Sequence, residues 1–132
     1  MGAHAMAVHG AARATGDIDV LIRAAHANAL RVCRALRQFG APLHAHGVGP
    51  EQLATVGTVY QLGIPPRRID ILTDIDGVSF DEVWNGRLQL DADGLPLSFI
   101  GLNELLINKR AAGRTKDLLD IALLDEARSA SE

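Results

Sequence analysis

The chain has 132 residues, of which 48% are hydrophobic and 22% are charged, and its formal net charge at pH 7 is −3. This composition argues against a disordered chain, the net charge does not favour a nonspecific nucleic-acid binder, and no stretch is apolar and long enough to cross a membrane. The single Cys33 excludes an internal disulfide, which together with the lack of a signal peptide predicts a cytoplasmic protein of one domain.

The predicted elements alternate between helices and strands, which indicates an α/β (α+β) fold. An Ala-rich helix over residues 3–10 is followed by a strand over 17–22. A longer helix, His26–Phe39, has apolar residues at helical spacing and ends at Gly40. The later predicted elements are a helical turn from Pro50, strands at 58–62 and 67–72, a helical turn at 81–85, a hairpin at 87–100 and helices at 103–111 and 116–127.

Three aspartates lie within two of the predicted strands. Asp17 and Asp19 stand one residue apart, so they project from the same face, and Asp70 joins them if its strand is a neighbour. Three carboxylates on one face repel one another unless a cation lies between them, and such oxygen ligands favour Mg²⁺ or Mn²⁺. Metals held in this way commonly activate phosphoryl and nucleotidyl transfer. The alternative is that the Asp-x-Asp pair only caps or solvates the end of a strand.

Two other segments carry groups that suit phosphate. A helix that begins at Gly2 offers free backbone N–H groups to an anion, and Arg13 and Thr15 lead from it into the acidic strand. Near the other end, basic residues surround Gly113 between two predicted helices. These are Lys109, Arg110, Arg114 and Lys116. In isolation such a cluster is better explained as a solvated helix–helix turn.

The order of these motifs carries a family resemblance. Gly2-Ala3 is followed after thirteen residues by Asp17-Ile18-Asp19-Val20, and Asp70 lies in a later apolar strand. This order resembles the signature of the nucleotidyltransferase superfamily related to DNA polymerase beta. Residues 9–19 and 109–120 are similar to the small bacterial nucleotidyltransferases of toxin–antitoxin and abortive-infection systems. The resemblance covers nearly the whole chain and implies one domain over 1–132, with a mixed sheet and helices packed mainly on one face.

The resemblance implies transfer of a nucleoside monophosphate from an NTP to an acceptor hydroxyl, with release of pyrophosphate. Asp17 and Asp19 would hold two Mg²⁺ (or Mn²⁺) ions, and Asp70 would complete the second site and help to deprotonate the acceptor. The acceptor stays open between a protein, a tRNA end and a small molecule. The nucleotide contacts are expected from Gly2, Ala3, Arg13, Thr15, Lys109 and Lys116.

Two departures from the family pattern favour an alternative function. Ala3 stands where the family prefers Gly or Ser, and the apolar strand that the family has ahead of this pair is missing. The alternative is a catalytically weak, nucleotidyltransferase-like binding module or a toxin–antitoxin component. The missing strand would also leave a sheet edge open, which predicts a homodimer or a cognate toxin or antitoxin partner. An orphan metal-binding regulatory domain is the third alternative.

Overall fold

A computed structural model describes residue 5 and residues 17–64 and 67–131 of the chain. The order of its helices and strands confirms the α+β fold with a mixed sheet. The strands are β1 (Ile18–Leu21), β2 (Val59–Ile64), β3 (Arg67–Leu72), β4 (Leu88–Ala92) and β5 (Leu95–Phe99). The helices are α1 (His26–Phe39), α2 (Pro50–Leu53), α3 (Phe80–Asn85), α4 (Leu102–Ala112) and α5 (Thr115–Ser131).

Three strands form the mixed sheet, in the order β1–β3–β2. β2 and β3 are antiparallel, whereas β1 runs parallel to β3 and is joined to the hairpin by a crossover that contains α1 and α2. The register pairs Ile18 with Ile69 and Asp19 with Asp70. Because partners in register project to the same side and neighbours alternate, one face of the sheet is aliphatic and the other carries Asp19 and Asp70.

Different helices cover the two faces of this sheet. On the aliphatic face, Ile71 packs in a cluster with Ala29 and Cys33 of α1 and with Leu53 of α2. On the other face, Leu21 packs against a second cluster formed mainly by α3, α4 and α5. Leu21 lies two residues after Asp19 on the same face of β1, so this second cluster removes an apolar side chain of the strand from water.

Local sequence explains where α1 begins and ends. Ala29 and Cys33 are fully buried one helical turn apart, so they define the face that packs on the sheet. Gly40 follows the helix with a φ of 103°, and its N–H donates to the carbonyl of Arg37. This left-handed position is one that glycine adopts without a steric penalty, so it terminates the helix where the chain must turn back to the sheet.

The strands β4 and β5 form a separate antiparallel hairpin. Its turn has positive φ values at Asp93 (53°) and Gly94 (83°), as the Asp-Gly sequence predicts for a two-residue hairpin loop. Leu88, Leu90 and Leu97 lie on one side of the hairpin and are each partly exposed. In the part of the chain that is described, no helix combines the length and the apolar character needed to cross a membrane.

Candidate active site

The three aspartates predicted from the sequence lie around the first strands of the sheet. Asp19 and Asp70 are direct partners in the parallel β1–β3 pair and share one face. Asp17 precedes β1, and its Oδ1 accepts a hydrogen bond from the backbone N–H of Arg68 at 3.0 Å. Asp19 is half-buried and Asp70 is buried. The sheet therefore brings together the residues that the alternating pattern of the two strands placed on one face.

Arg68 already provides a positive charge among these carboxylates. Its Nε donates to Oδ1 of Asp70 at 2.7 Å and its Nη2 donates to Oδ2 at 3.1 Å, which is a two-point ion pair. The pKa of the Arg68 guanidinium is raised, first by this hydrogen bond and then by the charges of Asp70, Asp17 and Asp19. Arg68 thus offsets part of the repulsion within the acidic group.

The donor chemistry of this group fits a hard divalent ion, because every donor is a carboxylate oxygen. Within the described ranges, however, no three His, Cys, Asp or Glu side chains are grouped to hold a metal ion as they stand. At Asp70 the two carboxylate oxygens already accept hydrogen bonds from Arg68. A divalent ion at Asp70 would therefore have to act against the charge of the guanidinium.

A polar cleft of about 400 Å³ opens beside Asp19. One wall comes from the sheet and the loop after β3, and the other comes from the corner between α4 and α5. Asn108 links the two walls, because its side-chain amide donates to the carbonyl of Asp76 at 3.0 Å. Besides Asp19, the polar residues that line this polar cleft are Asp74, Asp76, Asn108, Lys109, Arg114 and Lys116.

Lys109 borders the polar cleft but is itself buried. Its Nζ lies 2.9 Å from Oδ2 of Asp120 and 3.5 Å from Oδ1 of Asp117, and the side chains of all three residues are at most 5% exposed. Lys109 belongs to α4, whereas the two aspartates stand one turn apart on α5. The basic residue predicted to contact nucleotide is thus the centre of an ion triad that joins the two helices.

Arg114 and Lys116 present the exposed positive charge of this corner. Arg114 Nε donates to Oδ2 of Asp117 at 2.7 Å, and the Arg114 side chain is 62% exposed. The pKa of Arg114 is raised, first by this hydrogen bond, and the charges of Asp117, Asp76 and Asp19 also raise it. Lys116 is exposed and lines the polar cleft. Both side chains can therefore reach an anion in this cleft at little desolvation cost.

An apolar cleft of about 310 Å³ lies on another side of Asp19, which borders both clefts. It runs between β1, where Ile18 and Val20 line it, and β5, where Leu97 lines it. Its third wall includes Trp84, whose indole is covered by the Arg87 guanidinium at 3.8 Å from the ring centroid. Asp19 therefore stands between a charged space and an aliphatic, aromatic one.

Sequence reasoning placed some site residues and missed others. Gly2, Ala3, Arg13 and Thr15, predicted to bind nucleotide, lie outside the described residues. Arg68 was missed as a site residue, although its position two residues before Asp70 on one strand places both side chains on the same face. That spacing was the available signal. Asp74 and Asp76, in the loop after β3, also line the polar cleft.

Comparisons with protein-family models, with curated proteins and with solved structures give no match for this chain. The geometry of the site therefore carries the functional argument.

Proposed function

We propose that the protein is a metal-dependent nucleotidyltransferase that moves a nucleoside monophosphate from an NTP to an acceptor hydroxyl and releases pyrophosphate. The observation that carries this proposal is the pairing of Asp19 with Asp70 on adjacent parallel strands, with Asp19 at the edge of a polar cleft that also holds the exposed Arg114 and Lys116. Carboxylates beside side chains that can bind phosphate are the combination that this reaction needs.

Asp17, Asp19 and Asp70 are the residues that would hold Mg²⁺ or Mn²⁺. When bound, such an ion supplies charge stabilisation to the phosphate oxygens. The exposed Lys116 and Arg114 would bind the triphosphate in the polar cleft and stabilise the pyrophosphate as it leaves. Lys109 would act on the same cleft mainly by holding α4 against α5. Gly2, Ala3, Arg13 and Thr15 stay proposed phosphate contacts.

The two clefts beside Asp19 suggest where each substrate enters. In phosphoryl transfer the attacking and leaving oxygens lie roughly in line. If pyrophosphate leaves into the polar cleft, the acceptor hydroxyl has to approach from another side of Asp19, where the apolar cleft opens. Asp70 would then help to take the proton from that hydroxyl. The acceptor would be a protein side chain, a tRNA end or a small molecule.

Transfer of label from α-³²P-labelled NTPs tests this proposal. The purified chain is incubated with Mg²⁺ or Mn²⁺, each of the four NTPs and protein, tRNA and small-molecule acceptors. Asp19→Asn removes a charge without changing the size of the side chain, so we expect transfer to fall at least about a hundredfold. The matched control is Asp91→Asn on the exposed hairpin, which should keep full activity. Full activity of Asp19→Asn would contradict the proposed mechanism.

A second function, a nucleotidyltransferase-like binding module, is favoured by one specific observation. The charged groups Asp70 and Lys109 are both neutralised by partners within the protein, at distances of 2.7 Å and 2.9 Å. Such a module would act through a homodimer or a cognate toxin or antitoxin partner. A wild-type chain that binds Mg²⁺–NTP in calorimetry, yet labels none of the acceptors, would favour this second function.

A further inference from the structure

We infer that Arg68 is an internal competitor of the divalent metal ion for Asp70, so that the site takes up metal together with nucleotide rather than metal alone. This inference rests on the proposed function, because it concerns how the same acidic group is regulated. It assigns to Arg68 a positioning role: the residue acts through Asp70.

Arg68 occupies the position that a cation would take beside Asp70. The guanidinium occupies both carboxylate oxygens of Asp70, and the backbone N–H of the same residue occupies Oδ1 of Asp17. Hard divalent ions bind through carboxylate oxygens, and a metal ion on the remaining lone pairs of Asp70 would lie beside the guanidinium charge. Metal and Arg68 therefore oppose each other's binding to Asp70.

The ion pair between Arg68 and Asp70 can open. The side chain of Arg68 is 27% exposed and that of Asp70 is 11% exposed, so water can solvate both groups when they separate. An arginine at the edge of solvent keeps its charge at any physiological pH, so it leaves by rotation of its side chain rather than by losing a proton. Opening the pair costs free energy, and that cost lowers the affinity for metal by the same amount.

A bound nucleotide offsets the free-energy cost of opening the ion pair between Arg68 and Asp70. Once the guanidinium has left it, the carboxylate of Asp70 is an anion that attracts a divalent cation. A triphosphate brings its own oxygens into this region, and a guanidinium binds phosphate in the same two-point manner as carboxylate. With nucleotide present, Arg68 exchanges one anionic partner for another. With metal alone it loses a partner and gains none.

The experiment measures Mn²⁺ binding by electron paramagnetic resonance, using the full chain without nucleotide. We expect Arg68→Gln to bind Mn²⁺ about tenfold more tightly than the wild type, within the range by which groups around a metal ligand alter affinity. Arg34→Gln, an exposed position on α1, is the matched charge control and should leave the affinity unchanged. Adding Asp70→Asn to Arg68→Gln should abolish the gain.

A non-hydrolysable NTP analogue provides the second arm. With the analogue present, the advantage of Arg68→Gln should shrink or reverse, because the wild-type guanidinium then has phosphate to bind. Arg68→Lys keeps the charge but loses the two-point contact, so its affinity should be intermediate. This variant also carries the test if Arg68→Gln does not fold, as judged by circular dichroism.

The outcomes separate this inference from the proposed function. If the wild type transfers NMP but neither Arg68 variant binds Mn²⁺ more tightly, the role of Arg68 is overturned and the function stands. If neither the wild type nor the variants bind Mn²⁺, with or without the analogue, both are overturned. If Arg68→Gln gains affinity but no acceptor is labelled, the role of Arg68 holds within a site that only binds.

Discussion

The protein contains two clusters of basic and acidic side chains that look alike in sequence but differ in burial. At the sheet, Arg68 pairs with Asp70, and the two side chains are 27% and 11% exposed. At the corner between α4 and α5, Lys109 pairs with Asp117 and Asp120, and the exposure is 5%, 1% and 1%. The first cluster can exchange partners with water or a ligand, whereas the second holds two helices together.

The difference follows from the cost of separating charges away from water. A buried ion that loses its partner keeps its desolvation penalty without any compensation, so removal of one partner is strongly destabilising. When one partner is removed from a pair near the surface, water hydrates the remaining charge, so the free energy of unfolding changes little. Burial, rather than charge or spacing, therefore decides which cluster supports the fold and which is available for chemistry.

The largest effect that this comparison predicts is that of Lys109→Ala. The substitution leaves Asp117 and Asp120 as two buried carboxylates without their shared cation. We expect the free energy of unfolding to fall by about 3–5 kcal/mol. Urea denaturation followed by circular dichroism measures it, provided that the unfolding transition is two-state.

The matched control for this prediction is Arg110→Ala. Arg110 is the next residue on α4 and is exposed, so its loss should change the free energy of unfolding by about 0.5 kcal/mol or less. If Lys109→Ala were as stable as Arg110→Ala, the buried triad would have no structural role and the contrast between the clusters would disappear.

The sequence predicted the elements of the fold well because their ends are marked. The predicted bounds of α1 and of β3 agree with the structure residue for residue, since Gly40 closes the helix and Pro66 precedes the strand. The burial of Lys109 was harder to predict, because a basic run beside a glycine is usually solvated. The signal was that Lys109 lies one turn after the fully buried Leu105, on the face of α4 that packs into the core.

The second prediction is that Asp117 makes a large contribution to the loss of stability as the pH falls. Burial alone would raise the pKa of Asp117, but the hydrogen bonds from the side chain and backbone of Arg114, with the charges of Arg114 and Lys109, hold this pKa below its usual value. In the unfolded chain Asp117 takes up its proton near pH 3.9, and in the folded chain it does so at lower pH. The stability from this group is therefore complete above about pH 5 and is lost as the pH falls through the folded pKa.

Denaturation midpoints in urea between pH 6 and pH 2.5 measure this effect. Asp117→Asn should be less stable than the wild type at pH 6 and should lose less stability on acidification, so the two curves converge. Asp91→Asn, on the exposed hairpin, should run parallel to the wild type. Curves for Asp117→Asn and the wild type that stay parallel down to pH 2.5 would show that another group controls the acid limb.

The candidate site was predictable to the level of a strand face and no further. The alternation of β1 and β3 placed Asp19 and Asp70 on one side, and the structure pairs them directly. What the sequence did not predict is which partner each carboxylate has. That choice depends on the parallel register, which brings Asp17 to the backbone of Arg68 from 51 residues away. Long-range register has no local signature, because it depends on which apolar residues of the two strands are buried on the same face.

Among the variants within the two clusters, the smallest expected effect on stability is that of Arg68→Gln. Without the guanidinium, the Asp70 side chain, which is 11% exposed, keeps some access to water, so the melting temperature should fall less than in Lys109→Ala. Of these two variants, Arg68→Gln should have the larger effect on Mn²⁺ affinity, whereas Lys109→Ala should affect stability far more than metal binding. Differential scanning calorimetry on both variants, beside their Mn²⁺ titrations, measures the effect on melting temperature separately from the effect on metal affinity. If Arg68→Gln lowered the melting temperature as much as Lys109→Ala does, the Arg68–Asp70 pair would be structural as well. Asp70 would then not be free to exchange its guanidinium for a metal ion.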